Sequence, residues 1–282
     1  MFKLIIGILL AGAIACAVPV CAGDNSPGSG LYGSVHDLTN GPNFIGAPSA
    51  PRVPGFQPDL EKRICAYCHT PHHAIKVGDP NTYGADYLPL WSHQVSSVMY
   101  TPYASPSPST YFQTHGGTSM SADPLVGNSR LCMSCHDGIT AVDSFYGELS
   151  NHVMTDVPLP PFPGQPVISS FGTTNHPIGF AMTDVIPGYP GAAHPDTNIL
   201  PLSDLSTYNT GTAYASPQIT SRLYMRAILT CSSCHDVHNS LNKVAYQAGT
   251  RNYLLLGSQI GSDLCLSCHT PASGVSGNVH NW

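Results

Sequence analysis

Charge is what this sequence lacks most. Lys, Arg, Asp and Glu make up 9% of its 282 residues, far below the usual quarter or so. Ten basic residues against sixteen acidic ones leave a formal charge of −6. That balance excludes a basic surface of the kind that grips nucleic acid. Sparse charge also weakens repulsion between copies and favours self-association. Long apolar runs are missing as well: after residue 22 none is long enough for a membrane helix, so no transmembrane segment is expected there. Gly and Pro together number 53 (27 plus 26), and that density of breakers excludes a core of packed aliphatic helices. A disordered low-complexity chain is excluded in turn by 42% hydrophobic residues and fourteen tyrosines. Something other than aliphatic helices must fill the interior.

The N-terminus reads as a leader. Met1-Phe2-Lys3 is a small basic start, and the stretch from Leu4 to Val18 is apolar but short. Val20-Cys21-Ala22 then offers a small-residue cleavage site before Gly23. The expectation is a signal peptide over 1–22 and an exported mature chain over 23–282. The alternative is a lipoprotein leader with Cys16 lipidated.

Cysteine is where the sequence becomes specific. Ten are present, and eight fall into four repeats of one pattern: Cys65-Ala66-Tyr67-Cys68-His69, Cys132-Met133-Ser134-Cys135-His136, Cys231-Ser232-Ser233-Cys234-His235 and Cys265-Leu266-Ser267-Cys268-His269. A lone Cys-x-x-Cys fits a redox dithiol or half a zinc site. Neither chemistry requires a histidine directly after every pair. Cys-x-x-Cys-His is the signature of haem c attachment. Two thiols one short turn apart each add to one vinyl group of a haem, and the adjacent imidazole reaches the iron from the same side. Four motifs predict four covalently bound haems c, with His69, His136, His235 and His269 as proximal ligands. Porphyrins supply the missing apolar core, and the polypeptide wraps them in loops and short helices.

The motifs are unevenly spaced: Cys65 to Cys132 is 67 residues (132 minus 65), and Cys231 to Cys265 is 34 (265 minus 231). A weak internal repeat runs through them. The first motif continues as Cys68-His69-Thr70-Pro71-His72, and the third as Cys234-His235-Asp236-Val237-His238. Each is followed by a Leu-Cys-x-Ser-Cys-His motif, at 131–136 and 264–269. Two dihaem halves follow, roughly 23–156 and 157–282. Secondary structure should be sparse, with helical turns at the motifs. Leu223 to Leu229 and Tyr253 to Leu256 fit either a short helix or a strand.

Ten histidines remain for four distal positions. Methionine is the competitor, but of seven, Met1 leaves with the leader and Met133 lies inside a motif, so histidine at every distal position is the favoured set. His72 and His238 each lie three residues after a motif histidine. Ligands on opposite faces of a porphyrin put their Cα atoms roughly 12 Å apart, whereas three residues reach ~10 Å at most. Each must therefore serve a haem other than the one beside it, and that holds two haems almost in contact. His73 is the alternative to His72. His176, in Asn175-His176-Pro177-Ile178-Gly179-Phe180, has apolar neighbours that suit a pocket wall. His36 is followed by Asp37, a carboxylate that can orient an imidazole through its second nitrogen. His93 and His280 are spares; His194, His115 and His152 read as loop residues.

The order of these pieces resembles the doubled Cys-x-x-Cys-His multihaem cytochromes of metal-reducing bacteria. The pieces are His36-Asp37-Leu38, Cys65 to His72, Leu90-Trp91, Leu131 to Gly138, His176 to Gly179, Cys231 to His238 and Leu264 to His269. Four haems in a chain of this size also resemble the tetrahaem outer-surface cytochromes that polymerise into extracellular filaments. The resemblance implies a haem-packed multihaem cytochrome, mostly coil with short helices and few short strands. It implies stacked bis-histidine haems, head-to-tail contacts between copies, and other cytochromes as redox partners. In such filaments a histidine from the N-terminal region can ligate a haem of the next subunit, and His36 is the candidate here. The expected function is electron transfer at the outer surface or beyond it. A soluble periplasmic shuttle is one alternative. A multihaem reductase of nitrite, hydroxylamine or a sulfur oxyanion is another, although an enzyme of that type needs an iron with an open position.

Overall fold

The computed structural model describes residues 31, 36–39, 53–101, 123–155, 167–169, 171, 175–205, 207–208, 218–238, 254–257 and 262–270. The leader, with Cys16 and Cys21, lies outside them, as do His115 and His280.

Each Cys-x-x-Cys-His motif sits on a short helix: a 3-10 turn at Ile64–Tyr67 and α-helices at Ser129–His136, Cys231–Cys234 and Asp263–Leu266. The third shows why so short a helix persists. Thr230 is extended (φ −135°, ψ 175°) and forms a reciprocal capping box with Ser233, which satisfies backbone donors that a four-residue helix leaves open. Ser267 does a related job at the fourth motif, donating its hydroxyl to Asp263 O at 2.8 Å.

Beyond the helices the described residues show isolated β-bridges where short strands were expected. Three bridges share one construction. Ser92 N–H donates to Cys68 O at 2.9 Å and Thr70 N–H to Leu90 O at 2.8 Å, so His69 lies opposite Trp91. Leu256 donates to Cys234 O and Asp236 to Leu254 O, both at 2.8 Å, which sets His235 opposite Leu255. Leu200 donates to Cys268 O at 2.8 Å and Thr270 to Asn198 O at 2.9 Å, which sets His269 opposite Ile199. A passing segment thus pins the backbone on both sides of each motif histidine. Leu90 and Leu254 hold equivalent places in two of these braces, and both have positive φ (54° and 58°), an uncommon conformation for a side-chain-bearing residue. The second motif differs: its helix continues through His136, whose carbonyl accepts from Ile168 at 2.8 Å.

The segment 223–229 is neither a helix nor a strand. Tyr224 bridges to Ile228 across a tight turn in which Met225 and Arg226 both have positive φ. Leu254–Leu256 forms the brace of His235 rather than a helix.

The described apolar interior is divided among several clusters. One belongs to the second half, around Ile186, Ile219, Tyr208 and Leu256. Two belong to the first, around Val53, Tyr67 and Val142 and around Trp91, Val95 and Leu131. A further one crosses between the halves, joining Tyr100, Leu125 and Met133 to Phe171 and Ile178. A motif cysteine packs against each: Cys268, Cys68 with Cys135, Cys68, and Cys231 respectively. Arg130, 3% exposed, locks the motif-two helix in place through an ion pair with Asp123 and bonds to Ser96 O (2.9 Å) and Val98 O (3.1 Å). Among the described residues no helix is long and apolar enough to cross a membrane.

Candidate haem centres

The cysteines run in file from one motif to the next. Cys68 and Cys135 border the same apolar cluster. Cys132 and Cys231 are hydrogen-bonded thiol to thiol, and the Cys231 N–H donates to Ser129 Oγ at 3.1 Å. Cys234 and Cys268 are neighbours in turn. Loss of solvation pushes the thiols of Cys68, Cys135, Cys234 and Cys268 up to about 12. The shared hydrogen bond and burial hold Cys132 well above the ordinary thiol range. Thiols kept protonated in this way are poor nucleophiles; at the other end of the shared hydrogen bond the Cys231 thiol is lowered instead.

The histidines meet in twos. His69 and His238 have ring centroids 6.1 Å apart, His136 and His36 6.0 Å, and His269 and His176 6.2 Å. Each pair joins a motif histidine to one outside any motif, from a distant part of the chain. Two imidazoles on opposite sides of one metal, each bound at about 2 Å with its ring centre roughly 1 Å further back, stand about 6 Å apart. Ordinary ring packing covers that range too; the partnering, motif with non-motif in all three cases, is what fits axial ligation. Among the described residues no three His, Cys, Asp or Glu side chains form a chelating group.

Second-nitrogen contacts fit the same use. His69 Nδ1 lies 2.7 Å from Pro89 O, and His176 Nδ1 2.9 Å from Pro177 O. A Nδ1–H donated to a carbonyl leaves Nε2 with its lone pair free for a metal. Burial, reinforced by His136, His235 and His238, lowers the His36 imidazole to about 3. Burial lowers His238 and His269 as well. Neutral imidazole is the form that ligates iron. The Asp37 carboxylate accepts from the Thr39 N–H (3.2 Å) and hydroxyl (2.6 Å).

His72 is exposed. Its backbone closes a turn with the Thr70 hydroxyl, and among the described residues no ring contact joins it to a motif histidine. His73, also exposed, has φ 60° and lines a cleft of about 540 Å³ with Ile75, Val77 and Leu90. His152 is a loop residue but half-buried on Asp143, 2.7 Å away. His93, a spare in the sequence, is buried against the second motif. It is 1% exposed, its Nδ1 is 2.8 Å from Gln94 O, and its Nε2 is 3.6 Å from Cys135 Sγ. The alternation Trp91-Ser92-His93, which puts both rings on one face of an extended segment, was the available signal.

No family model matches the chain, and no curated protein matches it as a relative.

Proposed function

We propose that this chain is an exported tetrahaem c-type cytochrome that carries electrons. The observation that supports it best is the meeting of three of the four motif histidines with histidines from elsewhere. A bound haem supplies a reversible one-electron ferric/ferrous couple. The eight motif cysteines would hold four such groups, with His69, His136, His235 and His269 on one side of the irons. His238, His36 and His176 would stand opposite His69, His136 and His269. For His235 the proposed partner is His72, by the internal repeat: His238, beside His235, faces His69, so His72, beside His69, is the counterpart.

An iron with imidazole on both sides has no open position, which favours transfer over catalysis. The file of motifs supports a continuous relay, and other cytochromes are the proposed partners at its ends. Scarce charge, together with exposed Leu60, Val77, Leu90, Met99 and Ile139, supports head-to-tail assembly with itself at the outer surface or beyond. His36 lies against its own chain here, which supports ligation within the subunit rather than across a polymer contact. The periplasmic shuttle is the reading that remains if the protein stays monomeric.

Pyridine haemochrome analysis combined with electron paramagnetic resonance tests the proposal. Four haems per chain, all low-spin, are expected. A stoichiometric high-spin ferric signal would overturn it in favour of a reductase. Electron microscopy of cell-surface material distinguishes polymer from shuttle.

A further inference from the structure

Asp236 stands between a cation and a candidate iron ligand. Its Oδ2 accepts from Arg222 Nη2 at 2.6 Å. Its Oδ1 accepts the His238 N–H at 3.0 Å and lies 3.8 Å from His238 Nδ1. Local structure explains the meeting. Asp236 directly follows His235, where the brace to Leu254 O holds its N–H at 2.8 Å. Arg222 ends the 3-10 turn Ile219–Arg222, anchored by the fully buried Ile219. Ser233 Oγ ties that turn to the motif helix, donating to Arg222 O at 3.1 Å. Arg222 Nε is buried with no hydrogen-bond acceptor from the polypeptide.

Two other ligand candidates are oriented differently. His69 and His176 face neutral carbonyls through Nδ1. Asp137, which follows the second motif as Asp236 follows the third, is taken up by its own loop and by Ser96. It accepts from the N–H groups of Ile139 (2.8 Å) and Thr140 (2.7 Å) and from the hydroxyls of Thr140 (2.7 Å) and Ser96 (2.6 Å). His238 faces a carboxylate, and that carboxylate carries an arginine.

We infer that Asp236 and Arg222 are positioning residues that set the potential of the haem shared by His69 and His238, acting from the side of the third motif. The inference rests on the cytochrome reading above. A carboxylate beside the outer nitrogen of an imidazole ligand raises the ligand's basicity and favours the ferric state. The guanidinium opposes this through its charge and holds the carboxylate in place. The pair therefore ties the potential of the haem at the first motif to a side chain attached to the third.

Spectroelectrochemical titration of the full-length, haem-loaded protein is the test. Asp236→Asn should move one couple of the four positive, by about tenfold in its one-electron equilibrium, or ~59 mV. Arg222→Gln should move the same couple negative, and Arg222→Lys, which keeps the charge, should leave it near the wild-type value. One low-spin signal in electron paramagnetic resonance should change with that couple. If Asp236→Asn does not accumulate, the contrast between Arg222→Gln and Arg222→Lys carries the test. Unmoved couples, or shifts of the same sign in Asp236→Asn and Arg222→Gln, overturn the inference while the wild type still binds four haems. A wild type without four haems overturns the cytochrome reading itself.

Discussion

His36 and His136 face each other with ring centroids 6.0 Å apart and planes inclined at 59°, although most of the first half of the chain lies between them in sequence. The pair is built within one chain. A monomer should therefore hold the haem at Cys132 and Cys135 low-spin at any dilution, read by electron paramagnetic resonance across a concentration series. A high-spin signal that grows on dilution would instead show that the ligand arrives from another subunit.

His36→Ala should leave four covalent haems and turn one of them high-spin. Adding free imidazole should restore the low-spin spectrum. An unchanged spectrum would mean that His36 is not the ligand opposite His136.

His238→Ala should disturb the haem attached at Cys65 and Cys68 and spare the one at Cys231 and Cys234. The discriminating background is Cys65→Ser with Cys68→Ser, which removes the first haem. In that background His238→Ala should produce no further high-spin signal. An added high-spin haem there would assign His238 to another site.

Gly179→Ala should destabilise the protein by roughly 2–4 kcal/mol, from a strained positive φ and overpacking together. Gly179 has φ 80°, and an added Cβ would crowd the backbone of Pro124, 2.6 Å from its Cα. The urea midpoint of the haem-loaded variant measures it; an unchanged midpoint would show that this contact yields easily. Because His176 lies three residues earlier, the haem shared with His269 should be the first to lose its low-spin signal as urea rises.

Arg130→Met should cost about 3–5 kcal/mol, because it leaves the Asp123 carboxylate without its buried partner. The same urea titration checks this. A loss under 1 kcal/mol would mean that Asp123 reaches water in the variant.

The motifs and their short helices were legible in the sequence because both depend on neighbours a few residues apart. The reach limit on His72 and His238 was legible for the same reason. Which iron His238 would serve was not, since it depends on the first and third motifs being packed side by side. The braces were half visible. Leu90-Trp91 stood out as a fragment, but Asn198 to Leu200 carries no periodic signal, and Leu254 takes a backbone conformation that its side chain disfavours. The burial of His93 was not legible, because it comes from contact with the second motif. Arg222 carried no signal, since a lone arginine in a chain poor in charge gains meaning only from the carboxylate it meets.

The crossed pairing has a consequence in time. Synthesised from its N-terminus, the chain has both members of the His36–His136 pair once residue 136 is made. His69 comes before His136 and yet waits for residue 238. Closing so long a loop costs little more free energy than closing a shorter one, but contacts this distant in sequence form slowly. His269 and His176 come last. The histidine pairs are therefore completed in an order that is not the order of the motifs, and His69 spends most of synthesis with the imidazole that faces it still unmade.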